Sequence, residues 1–160
     1  MAFRELARIK QRLTDEQCAE VLESELRGVL AVNGDDGYPY CLPINFYYNP
    51  EDGRVYFHSS KKGYKNDCIA RDGRACFTVM RDAGPIPGSD WARLVDSVII
   101  YGRMELVEHG EFHEEMTRRL SYRFTDDSDY IEGEIAKLAK ATAVFALVPE
   151  HMRGKRVKEE

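Results

Sequence analysis

No apolar run in this chain approaches the ~18 residues that a membrane-spanning helix needs. The opening Met1-Ala2-Phe3-Arg4-Glu5-Leu6-Ala7-Arg8 mixes charges into its apolar residues, so no secretory leader is legible and a cytoplasmic protein is expected. Basic residues are in the minority: 23 Lys and Arg stand against 28 Asp and Glu, a net charge of -5. That balance excludes the broad basic face of a nucleic-acid platform, while leaving room for a local pocket that takes one small anion. Cysteine is scarce and scattered. Cys18, Cys41, Cys68 and Cys76 form no close pair of the redox or zinc type, and without a leader they are expected to be reduced thiols, mostly buried. Repeats, low-complexity tracts and a Gly-x-Gly-x-x-Gly fingerprint are also missing. The last absence excludes little, because a reduced nicotinamide can deliver hydride from a transient site.

What is present suffices for one core. The chain has 160 residues, 43% hydrophobic and 11% aromatic, which argues against global disorder and for a single domain over 1–160, with an N-terminal arm at 1–13 and a basic C-terminal tail at 150–160. Thr14-Asp15-Glu16-Gln17 has the form of a capping box, followed by Cys18, Val21, Leu22 and Leu26 at helical spacing, and predicts a helix over 15–26. From Gly28 the period shortens to that of strands. Strands are expected at 29–32, 38–48, 54–59, 74–80, 97–107 and 142–148, with helices at 64–71, around Phe112, Met116 and Leu120, and at 128–139. Pro39 and Pro43 each remove a ladder donor, so the second strand is expected at an edge or a bulge. Six strands, mostly joined by tight turns, make a mainly β fold with inserted helices, an antiparallel barrel.

The segment Val55-Tyr56-Phe57-His58-Ser59-Ser60-Lys61-Lys62-Gly63-Tyr64-Lys65-Asn66-Asp67 carries the clearest chemistry. A strand enters a turn rich in hydroxyls and lysines and then opens a helix. Helix-start N–H groups, the close backbone approach allowed by Gly63, and donors from Ser59, Ser60, Lys61 and Lys65 together suit a phosphate. A solvated basic turn is the competing reading. His109 and His113 could share a helical face, but Gly110 interrupts it, and no metal site is expected. No serine- or cysteine-centred triad has the necessary spacing.

Several strings, in this order and spacing, resemble the pyridoxamine 5'-phosphate oxidase-like flavin-binding proteins, and within them the nitroimidazole-resistance branch. They are Gly28-Val29-Leu30-Ala31, Asp36-Gly37-Tyr38-Pro39-Tyr40 with Pro43-Ile44-Asn45-Phe46, Val55-Tyr56-Phe57-His58-Ser59 with Gly63-Tyr64-Lys65, Cys76-Phe77-Thr78-Val79, Ser97-Val98-Ile99-Ile100-Tyr101-Gly102-Arg103 and Gly154-Lys155-Arg156. The resemblance implies a six-stranded antiparallel split β-barrel that binds FMN between the subunits of a homodimer. It implies that Pro43, Ile44 and Asn45 border the isoalloxazine ring, that His58, Ser59 and Ser60 lie at the strand end beside the flavin, and that Gly63, Tyr64 and Lys65 hold its phosphate. Ser97 matches a polar position that reaches the flavin in the oxidases. His58 is the candidate catalytic residue, facing the substrate side of the ring, with a structural histidine as the alternative.

The chain departs from the true oxidases at its end. Pro149-Glu150-His151-Met152-Arg153-Gly154-Lys155-Arg156-Val157-Lys158 lacks their tryptophan-flanked arginine segment, and Trp91 lies far upstream. Oxidation of a phosphorylated B6 vitamer is therefore not expected. Three functions stay open on the sequence: an FMN-dependent oxidoreductase reducing small organic acceptors such as nitroaromatics, a flavin-binding or electron-carrier module without turnover, and a haem-handling split barrel.

Overall fold

A computed structural model of the chain describes residues 3–159. The capping box is realised: the Gln17 N–H donates to Thr14 Oγ1 at 3.2 Å and the Thr14 N–H to Gln17 Oε1 at 2.9 Å, opening α1 (Asp15–Ser24). Its Cys18, Val21 and Leu22 are buried in the main core.

The strands are β1 (Arg12–Leu13), β2 (Arg27–Asn33), β3 (Pro39–Asn45), β4 (Tyr47–Asn49), β5 (Arg54–Ser60), β6 (Arg74–Pro85), β7 (Arg93–Val107) and β8 (Thr142–Glu159). They form one antiparallel sheet in the order β3-β2-β6-β7-β8-β5-β4, with β1 beside β8. The helices are α2 (Tyr64–Arg71), α3 (Glu111–Tyr122) and α4 (Ser128–Leu138).

The two ends of this order, β3 and β4, are joined by Phe46 alone. A sheet whose outermost strands are covalent neighbours must curl, and the result is a split barrel around the buried Leu30, Phe46, Phe57, Phe77 and Ile100. β3 pairs only with β2, so Pro39 and Pro43 occupy the expected edge. Met116 of α3 packs outside the barrel against Tyr56, Val144 and Ala146.

Two expectations are corrected. Among the described residues there are eight strands, because the expected strand at 38–48 breaks at Phe46 and the two-residue β1 carries no periodicity to read. The final strand does not stop at Pro149: it runs through most of the expected tail. The register shifts where Tyr101 pairs with His151 but Gly102 with Pro149, so Glu150 is the extra residue of a bulge that absorbs the missing proline donor. Gly102 makes this bulge possible, since the Val148 carbonyl occupies the place of its missing Cβ. Beyond the bulge, Arg156 reaches the fully buried Asp96.

Candidate functional site at the split of the barrel

At the end of β5 the chain turns through residues 61–63 into α2. Gly63 holds φ 138°, a conformation that L side chains rarely adopt, and no side chain caps the helix. The N–H groups of Tyr64 and Lys65, which no helical carbonyl can reach, are therefore left as donors. Lys65 Nζ donates to Ser59 Oγ on β5 at 2.8 Å and to Asn66 Oδ1 at 3.1 Å, and sits 5.1 Å from the Phe145 ring centroid. Asn66 Nδ2 in turn donates to the Ser60 carbonyl at 2.8 Å, tying the helix start to the strand end. Burial holds the Lys65 ammonium below its ordinary pKa. A half-buried cation whose partners are neutral oxygens is an electrostatically unsatisfied group that suits an anion.

Beside this cradle the split opens into a cleft of about 420 Å³ lined by Arg27, Pro43, Ile44, Asn45 and His58. Topology explains the grouping: Asn45 ends β3 opposite Arg27, while β5, the partner of β4, carries His58 two residues beyond Tyr56, which pairs with Tyr47. Residues from the two ends of the sheet order meet because Phe46 joins them. His58 keeps an exposed edge, yet the surrounding protein removes enough water, with a further push from the Lys65 ammonium, to hold its pKa below the ordinary histidine value. Both influences favour the neutral imidazole.

The structure thus brings Pro43, Ile44, Asn45 and His58 to one cleft and Ser59, Gly63 and Lys65 to the adjoining cradle. Four other expected residues are placed differently. The Tyr64 hydroxyl accepts from the Asp35 N–H at 2.8 Å, pinning α2 to the β2–β3 turn, so only its backbone faces the cradle. The Ser60 hydroxyl donates to the Lys62 carbonyl at 2.7 Å and shapes the turn, and Lys61 borders a separate pocket. Ser97 stands on β7 opposite Met80 and Lys155 and lines none of the clefts described here. Its face can be read from the alternation: Val98 and Ile100 point into the core, so Ser97 points outward. Arg27 and Asn66 escaped the sequence reading. Asn66 follows Lys65 directly and could have been found as a cradle donor, whereas Arg27 enters only through the curl of the sheet.

The pyridoxamine 5'-phosphate oxidase family profile matches residues 14–156. No curated protein matches the chain. Solved structures share its fold. A candidate 5-nitroimidazole antibiotic resistance protein from Bacteroides thetaiotaomicron is 19% identical, with a TM-score of 0.77 over 92% of this chain and 87% of that one. An FAD-binding protein from Mesorhizobium loti is 22% identical, with a TM-score of 0.64 over 92% and 97%. An FAD- and haem-binding protein from Mycobacterium smegmatis is 22% identical, with a TM-score of 0.64 over 91% and 72%. With the profile running from the start of α1 through most of β8, this chain belongs to the pyridoxamine 5'-phosphate oxidase family.

Proposed function

We propose that the protein is an FMN-dependent oxidoreductase that reduces small organic acceptors, with nitroaromatic compounds of the nitroimidazole type as the candidate class, and that it works as a homodimer with FMN at the subunit interface. One observation carries the reading: the unsatisfied Lys65 cradle adjoins a cleft bordered by Pro43, Ile44, Asn45 and His58. A flavin mononucleotide needs an anion site beside a slot for its ring. The likeness to the Bacteroides protein supports the acceptor class.

Each residue then has a physical task. Lys65, Ser59 and the first N–H groups of α2 hold the phosphate. Pro43 and Ile44 form the wall along the ring, and the Asn45 amide can bond its polar edge. His58, neutral and partly exposed, supplies an N–H to charge developing on the acceptor, and Arg27 supplies a fixed cation at the same mouth. Bound FMN contributes the two-electron redox chemistry, while the protein positions and polarises. The outer face of the mid-sheet supports pairing: Val29 is 39% and Met80 70% exposed, and Ser97 lies between Met80 and Lys155 on that side. A second copy covering this face would bring its own Ser97 to the cleft.

The purified protein is expected to be yellow, to release FMN on denaturation, and to turn over a reduced nicotinamide with a nitroimidazole at a saturable rate. Colourless protein that takes up no added FMN overturns the proposal. Flavin uptake without turnover marks a carrier instead, and a Soret band marks haem.

A further inference from the structure

The cleft at the split of the barrel holds one charge that its own lining does not answer. Among the described residues most arginines lie against a carboxylate, as Arg119 does against Glu115 and Arg156 against Asp96. Arg27 is not one of them. It stands at the mouth of the cleft of about 420 Å³, and the other lining residues, Pro43, Ile44, Asn45 and His58, include no acid. Lys65, the cation of the adjoining cradle, is taken up by the phosphate in the flavin reading, which leaves Arg27 to meet a second ligand.

The guanidinium is braced all the same. Its Cζ lies 5.6 Å from the centroid of the Phe124 ring, within reach of a cation–π contact. Phe124 follows Arg123, the residue that caps the end of α3. Arg123 donates to the carbonyls of Glu23 and Glu25, just before β2, and its guanidinium lies 5.7 Å from the Phe46 ring. The end of α3 is thereby fastened to the chain that enters β2, and the next side chain supports Arg27. A guanidinium supported by an aromatic ring keeps its rim of N–H donors for an oxyanion. Arg27 is exposed and Phe124 is 40% exposed, so a ligand in the cleft can reach those donors.

We infer that the acceptor of the proposed reduction is an anion: a planar ring bearing a carboxylate, which Arg27 grips through two parallel N–H···O bonds while the ring lies in the cleft, with Phe124 as the residue that positions Arg27. The role of acceptor rests on the flavin reading, but the pairing of Arg27 with a carboxylate does not. A fork that takes both oxygens fixes the orientation of the ring as well as its place, which a lysine would not do. The net charge of -5 sets the rest of the surface against anions, so this local cation also decides where such an acceptor docks.

Benzoate and benzamide, alike in shape and unlike in charge, are the probes, titrated into FMN-loaded protein and followed by calorimetry and by flavin absorbance. Benzoate is expected to bind roughly five- to tenfold tighter than benzamide, a modest factor because the site is open to solvent. Arg27→Gln is expected to abolish that preference, Arg27→Lys to keep part of it, and Phe124→Ala to lower it although Arg27 remains. In turnover of 4-nitrobenzoate and 4-nitrobenzamide, Arg27→Gln is expected to raise KM for the acid several-fold more than for the amide. Both positions are exposed, so the variants are expected to keep the parent's Tm. Equal affinity for the two probes in the parent, no binding of either at roughly 50 mM, or a preference that survives Arg27→Gln overturns the inference. A preference lost in Arg27→Gln but unchanged in Phe124→Ala overturns the positioning role of Phe124 alone. Protein that takes up no FMN yet prefers benzoate through Arg27 keeps the anion site while the flavin reading falls, and FMN uptake without a benzoate preference does the reverse.

Discussion

Lys65 and His58 sit close enough for the lysine to push the histidine's pKa down, yet they are assigned different work. Deleting the ammonium by Lys65→Ala removes a charge-assisted contact worth about 1.5 to 3 kcal/mol, so FMN affinity is expected to fall roughly ten- to more than a hundredfold. Riboflavin, which has no phosphate, is expected to bind the variant and the parent nearly equally; equal weakening of both flavins in parallel titrations would show that Lys65 does not hold the phosphate. His58→Ala is expected to leave FMN affinity within a few-fold and to change the rate at which acceptors reoxidise the flavin in stopped flow. A variant that reoxidises like the parent with every acceptor makes His58 structural. The pH profile carries the same sign as the desolvation. Because the folded His58 pKa lies below its ordinary value of about 6.5, its protonation sets in only at more acidic pH, and a pH-dependent rate in the parent is expected to change below that value and to flatten in His58→Ala.

At the scale of elements, β8 is held to β7 past its bulge by a buried charge cluster. Asp96 is fully buried and accepts from Arg156 at 2.7 and 2.8 Å and from Arg81 at 2.8 Å. The Arg156 bond first, and Arg81 after it, hold the carboxyl below the usual carboxylate range, outweighing the cost of its burial. Asp96→Asn leaves two guanidinium groups without their counter-charge. A fully buried pair broken this way loses about 3 to 5 kcal/mol, but the Arg156 side chain is 41% exposed, so about 2 to 3 kcal/mol is expected, or roughly 4 to 12 °C in Tm. The sign with pH follows from the depressed folded value. The contribution is complete above the unfolded carboxylate pKa of about 3.9 and is lost as pH falls through the folded one, so the melting curves of parent and variant are expected to converge in acid. A gap that persists unchanged at pH 2 would mean that packing, not charge, ties the strand down.

For the whole molecule, the exposed outer sheet face and the cleft at Pro43 and His58 adjoin through strand pairing. Pro43 pairs with Val29 across β3 and β2, and Met80 with Ser97 across β6 and β7. If a second copy covers this face, light scattering is expected to report twice the chain mass, and FMN affinity is expected to drop on dilution below the dimer's Kd. Ser97→Arg, remote from its own chain's cleft, is expected to weaken self-association and FMN binding together. A monomer with FMN fully bound, or a Ser97→Arg variant that keeps both properties, would remove the intersubunit site.

By itself the sequence determined most of the elements and the side chains gathered in one local segment. The capping box at Thr14, the helix at 64–71 and the strand-to-helix turn with Ser59, Gly63 and Lys65 are legible because each depends on neighbours a few residues apart. The edge position of β3 was legible for the same reason, since a proline's missing donor belongs to the residue itself. Tertiary structure alone decided what meets across the barrel. Arg27 joins His58 only because Phe46 forces the ends of the sheet together, and Arg156 leaves the expected free tail only because Asp96 lies buried 60 positions away. Such partners carry no local period, and the energy that selects them, the burial of one shared core and the pairing of buried charge, exists only once the sheet has curled.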